Sequence, residues 1–451
     1  MGKAGRRAGA TRRPPSTFRF HQMLHLAEER HVLLHQLLRT YGDFMRWRGF
    51  QDVYVVNHPD FIRPVLTQDY RHFSKRTIDY RVLAQVMGNG LVTNDGPGWV
   101  RQRALMQPMF GNRRINAFDG TINALTSSVM DEWETRVGGG TVRIDREMSR
   151  LTFGIVGATL FGSDIERHAG EVAEILEVAN LNPLEPRALM TLYSWVPTPH
   201  NLKWRRAVPR LDRIVYGMIE ARRRRSAGGD DILDYLIRAL DDENGEGMDE
   251  RQMRDEVVTL MLAGHETSAN ALAWTLYLLG KHPDVEMRLT ESLAATLGGA
   301  AARADDLPRI PYLKQVVQES MRLYPPVWAY ARRSEQEEEF DGHLLPANAY
   351  VAVVPYALHR HPEFWADPER FDPDRFEPSR GDARHPYSYL PFAAGPRTCI
   401  GAGMAMLETQ LVLAQILQRF KVHLVPDHPI DTTAKVTLKP RHGIVATLSR
   451  R

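Results

Sequence analysis

Apolar residues recur at helical spacing through most of the chain. This periodicity predicts helices over about residues 21–40, 115–138, 146–162, 169–181, 205–225, 231–240, 249–281, 283–297, 312–323 and 400–419. Strand signals are few and short: Phe44–Trp47 with Val53–Val56, Tyr350–Val354, Val422–Val425, and a terminal hairpin across Val436–Leu448. Gly49 splits the first pair, whose second strand ends at the turn Asn57-His58-Pro59. Strands and helices do not alternate as βαβ units, so a doubly wound sheet is not expected. The pattern describes a mainly α protein with a small β region. Ser226–Asp230 and Asp241–Gly247 read as polar surface loops, and the proline-rich stretch Arg360–Arg380 as a rigid coil packed on the body.

One predicted helix breaks its own pattern. Asp249 followed by Gln252 resembles a capping box, and Gly280 with Pro283 supplies the stop. The intervening residues would span about 48 Å. Both flanks are apolar, yet Ala263-Gly264-His265-Glu266-Thr267-Ser268 sets a glycine and four polar side chains at the centre. Glycine there costs about 1 kcal/mol against alanine, and buried polar groups cost more unless paired. A kink, a close ligand approach or proton chemistry would justify that cost, and a satisfied polar helix–helix contact would too. Thr267 can also bond back to the carbonyl of Ala263. His265 points to a different face from Gly264 and Thr267, which suits a structural role.

Composition narrows the classes. Hydrophobic residues make up 43% and charged residues 25% of 451, ordinary globular values. A formal charge of +3 is too small to argue for nucleic acid. No stretch approaches the roughly 18 apolar residues of a membrane span. Residues 1–18 carry Lys3, Arg6, Arg7, Arg12 and Arg13 with no apolar run behind them, so a disordered basic tail is expected, not a secretory signal. A single cysteine excludes an internal disulfide and fits a reducing, cytoplasmic location.

That cysteine, Cys399, lies in Phe392-Ala393-Ala394-Gly395-Pro396-Arg397-Thr398-Cys399-Ile400-Gly401, ahead of a predicted helix. A helix N-terminus favours thiolate, the metal-binding form. One thiolate cannot build a zinc or iron–sulfur site, but it can be the axial ligand of a haem iron. An inert buried thiol is the alternative. Elsewhere, Glu319 and Arg322 lie three apart on a helix closed by Pro325-Pro326, with Arg375 available as a third partner. Such a cluster would pin the proline-rich coil and, through it, the cysteine loop.

Together these residues resemble the cytochrome P450 family. Phe392, Gly395, Arg397, Cys399 and Gly401 match every fixed position of its haem-binding signature, with Ala393 a departure where the family usually has Gly or Ser. Glu319-x-x-Arg322, the coil Phe371–Phe376, the Ala263–Ser268 oxygen-activation segment and Trp99-x-x-x-Arg103 follow the family's order over about residues 20–450. The resemblance implies one domain over 19–451: a triangular α-helical body with haem b between a distal and a proximal helix. Cys399 would be the iron ligand, with Phe392 beside it and Gly401 in the same loop. Arg397, Arg103 and Arg332 would hold the propionates under Trp99, and Gly264 would leave room for dioxygen. Glu266 and Thr267 would serve as the acid–alcohol pair for proton delivery. The implied activity is monooxygenation of a lipophilic small molecule such as a fatty acid, terpenoid or carotenoid by a monomer. Electrons would come from NAD(P)H through a separate ferredoxin, flavodoxin or reductase, docking on Arg101, Arg113 and Arg114. The pocket would be lined by residues 78–92, helices near 175–200, Ala263, Val327–Tyr330 and His442-Gly443-Ile444. A haem-binding sensor or carrier without turnover is the alternative.

Overall fold

In the computed structural model, residues 15–17, 29–48, 51–162, 168–179, 190–193, 195–224, 231–238, 248–340, 342–381 and 384–451 are described. The central helix, Glu250–Lys281, runs through the middle of the molecule, capped where Asp249 accepts the Gln252 N–H at 2.7 Å. It continues through Gly280 and stops before Pro283, which opens the next helix, Pro283–Leu297. Helices Ile144–Leu160, Pro311–Leu323 and Ala402–Arg419 pack against it, and Asp119–Glu134 packs on the first and last of these. Their buried faces merge into one core that includes Trp133, Leu272, Trp274, Val316 and Leu411.

The strands form small sheets at the margins. A six-stranded sheet has the order β1 (Ser16–Thr17), β2 (Phe44–Trp47), β3 (Val53–Val56), β6 (Tyr350–Val353), β5 (Tyr330–Ser334), β4 (Phe73–Ser74). Pairing of β3 with β6 in parallel, Val53 opposite Tyr350, carries the N-terminal segment across to the second half of the chain. A second sheet joins Phe420–Leu424 and Val445–Arg450 to Thr141–Arg143, and two further pairs link Thr432–Ala434 with Leu438–Pro440 and Glu338–Phe340 with His343–Leu345.

Several expectations are revised. The hairpin expected across Val436–Leu448 does not form: Leu438–Pro440 turns back on Thr432–Ala434, and Val445–Arg450 pairs with Phe420–Leu424. The helix expected over 115–138 is divided into Asn112–Asn116 and Asp119–Glu134. Of the expected basic tail, only 15–17 are described, and there Ser16 and Thr17 pair with Arg46 and Trp47. The expected loops 226–230 and 241–247, and the start of the helix expected from 21, lie outside the described residues. No helix among those residues is long and apolar enough to cross a membrane.

The proline-rich coil is fixed as its charges foretold. Glu319 and Arg322, both fully buried, form a bidentate pair at 2.6 and 2.8 Å. Arg322 also donates to the carbonyls of His359, Pro368 and Arg370, and Glu319 accepts the Asp372 N–H. Arg375 approaches Glu319 at 3.4 Å, a looser third contact. Burial pushes the Glu319 carboxyl upward, against the pull of Arg322.

Candidate functional site

A cavity lies between the polar break of the central helix and the loop before helix Ala402–Arg419, with about 1690 Å³ free of protein atoms and part of it opening to solvent. Its shape begins with the cysteine loop. Gly395 takes φ +71°, and a Cβ there would lie 2.2 Å from the Leu66 carbonyl oxygen, so only glycine fits this turn. Thr398 N–H and hydroxyl both donate to the Gly395 carbonyl, and Cys399 N–H closes on the Phe392 carbonyl at 2.9 Å. The loop thus delivers Cys399 to the cavity, with Phe392 and Gly401 also lining it.

The thiol is accessible to water-sized molecules, yet protein is dense around it. Burial pushes its pKa up, while the Gly401 N–H and the Arg103 charge pull the other way. The helix-terminus argument alone therefore underestimates desolvation, and a bound cation is what would complete a thiolate. Among the described residues no cluster of three or more His, Cys, Asp or Glu is arranged for a metal. A metal at Cys399 would accordingly have to bring most of its ligands with it, as a macrocycle does.

One rim of the cavity is cationic. Arg397 donates to the carbonyls of Tyr70 and Phe73 and to Asp95 at 2.5 Å, leaving its Nε buried without a partner. Arg332 donates to Tyr80 Oη at 2.9 Å and likewise leaves Nε unpaired. Arg103 reaches the Thr398 carbonyl at 2.7 Å, beside the cysteine. Lys75, which no motif singles out, stands 5.5 Å from the Trp99 ring centre and donates to the Leu91 carbonyl at 2.9 Å. Burial and the charges of Arg332 and Arg397 pull its pKa well below the ordinary lysine value. Four cationic side chains around unfilled space, two with orphaned donors, suit a group carrying two carboxylates. The residues present fit haem b.

The opposite wall comes from the central helix. Gly264, Thr267 and Ser268 face the cavity, and Thr267 Oγ1 bonds back to the Ala263 carbonyl at 2.7 Å. A Cβ on Gly264 would stand 3.1 Å from Val156 Cγ2, so that glycine also admits the neighbouring helix. His265 is structural: Nε2 meets Ser149 Oγ at 2.9 Å, its ring stands edge-on to Phe153, and burial lowers its pKa to about 4. Glu266 departs from expectation. Adjacent helical residues diverge by about 100°, and its carboxylate turns from the cavity to accept from Thr437 and pair with Lys439 at 2.9 Å. The acid and the alcohol therefore stand on different faces.

Tyr80, Leu91, Val92, Ala263, Val327 and Tyr330 line the cavity as anticipated. Trp328 does not: its indole donates to the Lys435 carbonyl and packs beside His31. Nor does His442-Gly443-Ile444, because Ile444 is sealed in the main core and Gly443 lies against the Arg143 guanidinium. None of the described residues from 175–200 lines it. Glu408 was missed. It lies fully buried at the cavity wall within reach of Ser268, and burial raises its pKa to about 8. A charged residue within an apolar run, nine positions after Cys399, was the available signal.

A family model described as Cytochrome P450 matches residues 12–446. Cyclooctat-9-en-7-ol 5-monooxygenase of Streptomyces melanosporofaciens is 35% identical over 395 residues, covering 86% of this chain and 84% of that protein. Pentalenene oxygenase of Streptomyces avermitilis is 31% identical, covering 89% of each. A crystal structure of the cytochrome P450DA heme domain superposes with TM-score 0.88 at 26% identity, over 98% of this chain and 99% of that one.

Proposed function

The chain belongs to the cytochrome P450 family, and on that premise we propose that it hydroxylates or epoxidises a polycyclic terpenoid with electrons from a separate redox protein. The observation that carries this reading is a lone thiol in a cavity with a cationic rim on one side and a polar helix break on the other. Haem b, bound through Cys399, would supply oxygen activation, its ligand thiolate favouring O–O cleavage. Arg397, Arg103 and Arg332, joined by Lys75, would hold its carboxylates, and Trp99, Phe392 and Gly401 would pack against it.

Thr267 would hold and pass a proton at Oγ1, and Gly264 would keep the helix close without filling the space. Glu266 would serve as the acid behind Thr267 once its bonds with Thr437 and Lys439 are released. Leu91, Val92, Val156, Leu160 and Leu260 give an apolar wall that excludes water and suits a hydrocarbon cage. The names of two relatives point the same way, toward cyclooctatenol and pentalenene skeletons. Arg101, Arg113 and Arg114 are exposed, which supports docking of an acidic ferredoxin or flavodoxin. Reduction by such a partner would slow as salt is raised.

The reading is tested by carbon monoxide on the reduced protein. A Soret band displaced to the red is expected, and Cys399→Ser should abolish the displacement; an unchanged spectrum in that variant overturns the ligand assignment. Reductant-driven oxidation of a terpenoid separates the monooxygenase from a haem sensor or carrier, which would bind ligands without turnover. Thr267→Ala should then divert electrons to peroxide, raising the peroxide released per product formed, because a positioned proton donor is lost.

A further inference from the structure

The backbone of Leu91 is held on both sides by buried ionisable groups, Lys75 of the cationic rim and Glu256, which the proposed chemistry does not use. Its N–H donates to Glu256 Oε2 at 3.0 Å, and its carbonyl accepts from Lys75 Nζ at 2.9 Å. Glu256 is fully buried and Lys75 is 7% exposed. The turn before Leu91 is seated directly on the central helix. A Cβ on Gly90 would lie 2.1 Å from Thr259 Oγ1 and 2.7 Å from the Asp255 carbonyl oxygen, and the Asn89 N–H donates to Asp255 at 2.7 Å. Leu91 itself faces the cavity.

Burying two such groups for one peptide is costly by ordinary standards, since neutral side chains would satisfy it equally well. Burial raises Glu256 to about 7, and Lys75 is drawn well below its usual range. An ammonium also has three donors, of which Leu91 takes one. The others are available on the rim shared with Arg332 and Arg397, where an incoming carboxylate would restore the lysine charge and strengthen its bond to Leu91.

We propose that Lys75 and Glu256 are positioning residues that clamp the Leu91 peptide, fixing the substrate-facing wall and tightening it when the cofactor's carboxylates arrive. The clamp selects substrates by size, because Leu91 can move only if one of its two backbone hydrogen bonds to Glu256 and Lys75 is released. The coupling to the cofactor rests on the haem reading given above, whereas the bracket itself does not.

Amide hydrogen exchange over residues 88–94 tests both parts. In the parent protein, exchange should be at least about tenfold slower with haem than without, as expected where an existing hydrogen bond becomes charge-assisted. Lys75→Met should remove that difference. Glu256→Leu should speed exchange in both states, and Glu256→Gln, which keeps an acceptor, should restore it. Spectral titration of the holoprotein with imidazole and 4-phenylimidazole gives a second readout. Glu256→Leu should change the ratio of their dissociation constants about fivefold, the loss of one hydrogen bond, with imidazole alone little affected and Glu256→Gln like the parent. Should Glu256→Leu fail to fold, Lys75→Met decides the matter by exchange. Exchange and size ratio unchanged in Lys75→Met and Glu256→Leu overturn the clamp. Absence of any haem spectrum would instead overturn the haem reading, leaving the haem-free exchange contrast to judge the bracket.

Discussion

Ala393 is where local strain is visible in a single residue. It adopts φ +58° inside the cysteine loop, a left-handed conformation that costs a non-glycine residue about 1–2 kcal/mol. Glycine at this position would remove the Cβ clash at a smaller entropic cost in the unfolded chain. Ala393→Gly should therefore stabilise the protein by about 1 kcal/mol, where the same change in an ordinary helix would destabilise it by a similar amount. Urea unfolding of the haem-loaded protein measures the sign. The Glu319–Arg322 pair lies at the other extreme, buried and satisfied on both sides. Arg322→Leu would strand the Glu319 charge together with the carbonyls of His359, Pro368 and Arg370, so a loss of about 3–5 kcal/mol is expected. Arg375→Leu, which gives up the looser 3.4 Å contact to that carboxylate and one hydrogen bond to the Asp367 carbonyl, should cost clearly less. Comparing the two variants' unfolding midpoints checks the ranking.

Among elements, the cysteine loop depends most on backbone geometry. Gly395→Ala would press a methyl against the Leu66 carbonyl in a φ that alanine resists, and the loop would have to move as a unit. The expected outcome is a folded chain with helical circular dichroism near the parent's and a much lower haem content per chain. The central helix shows what a sequence can carry to this scale. Its cap at Asp249, its length and the Thr267 back-bond follow from local pattern, because each depends on residues within four positions. The direction of Glu266 does not, since its carboxylate is oriented by Thr437 and Lys439, about 170 positions away. Lys75, Trp328 and Ile444 escaped or misled for the same reason: each is placed by a distant segment, Leu91, Lys435 and the main core respectively. Motif spacing located the cysteine, the cationic rim and the Glu–Arg cluster, but which neighbour each side chain meets is a property of the packed chain.

Across the whole molecule, the buried ionisable groups set a pH dependence of stability whose sign can be worked out. Burial raises Glu408 to about 8 and Glu256 to about 7 from an ordinary 4.5, so the folded chain keeps protons there that the unfolded chain releases. Stability from these two carboxyls is fully present below about pH 4.5 and is lost as pH rises toward 7 and 8. Burial lowers His31 and His359 to about 3 and His265 to about 4 from 6.5. The unfolded chain takes up protons at these rings first, so their contribution is present above pH 6.5 and is lost as pH falls below it. Between 4.5 and 6.5 three histidines outweigh two carboxyls and stability climbs with pH. Of these five groups only the carboxyls still titrate above 6.5, so their summed contribution turns downward near pH 6.5, while Lys75, drawn below its usual range, pulls the other way. Glu408 alone accounts for about 2 kcal/mol of the decline between pH 6.5 and 8, at about 1.4 kcal/mol per unit. Glu408→Gln keeps the shape, and the contact with Ser268, while removing the titration. Denaturant unfolding of both proteins at pH 6.5 and 8 should show the parent losing that stability and the variant losing much less. Equal losses would mean that the space between the central helix and the cysteine helix is wetter than its packing indicates.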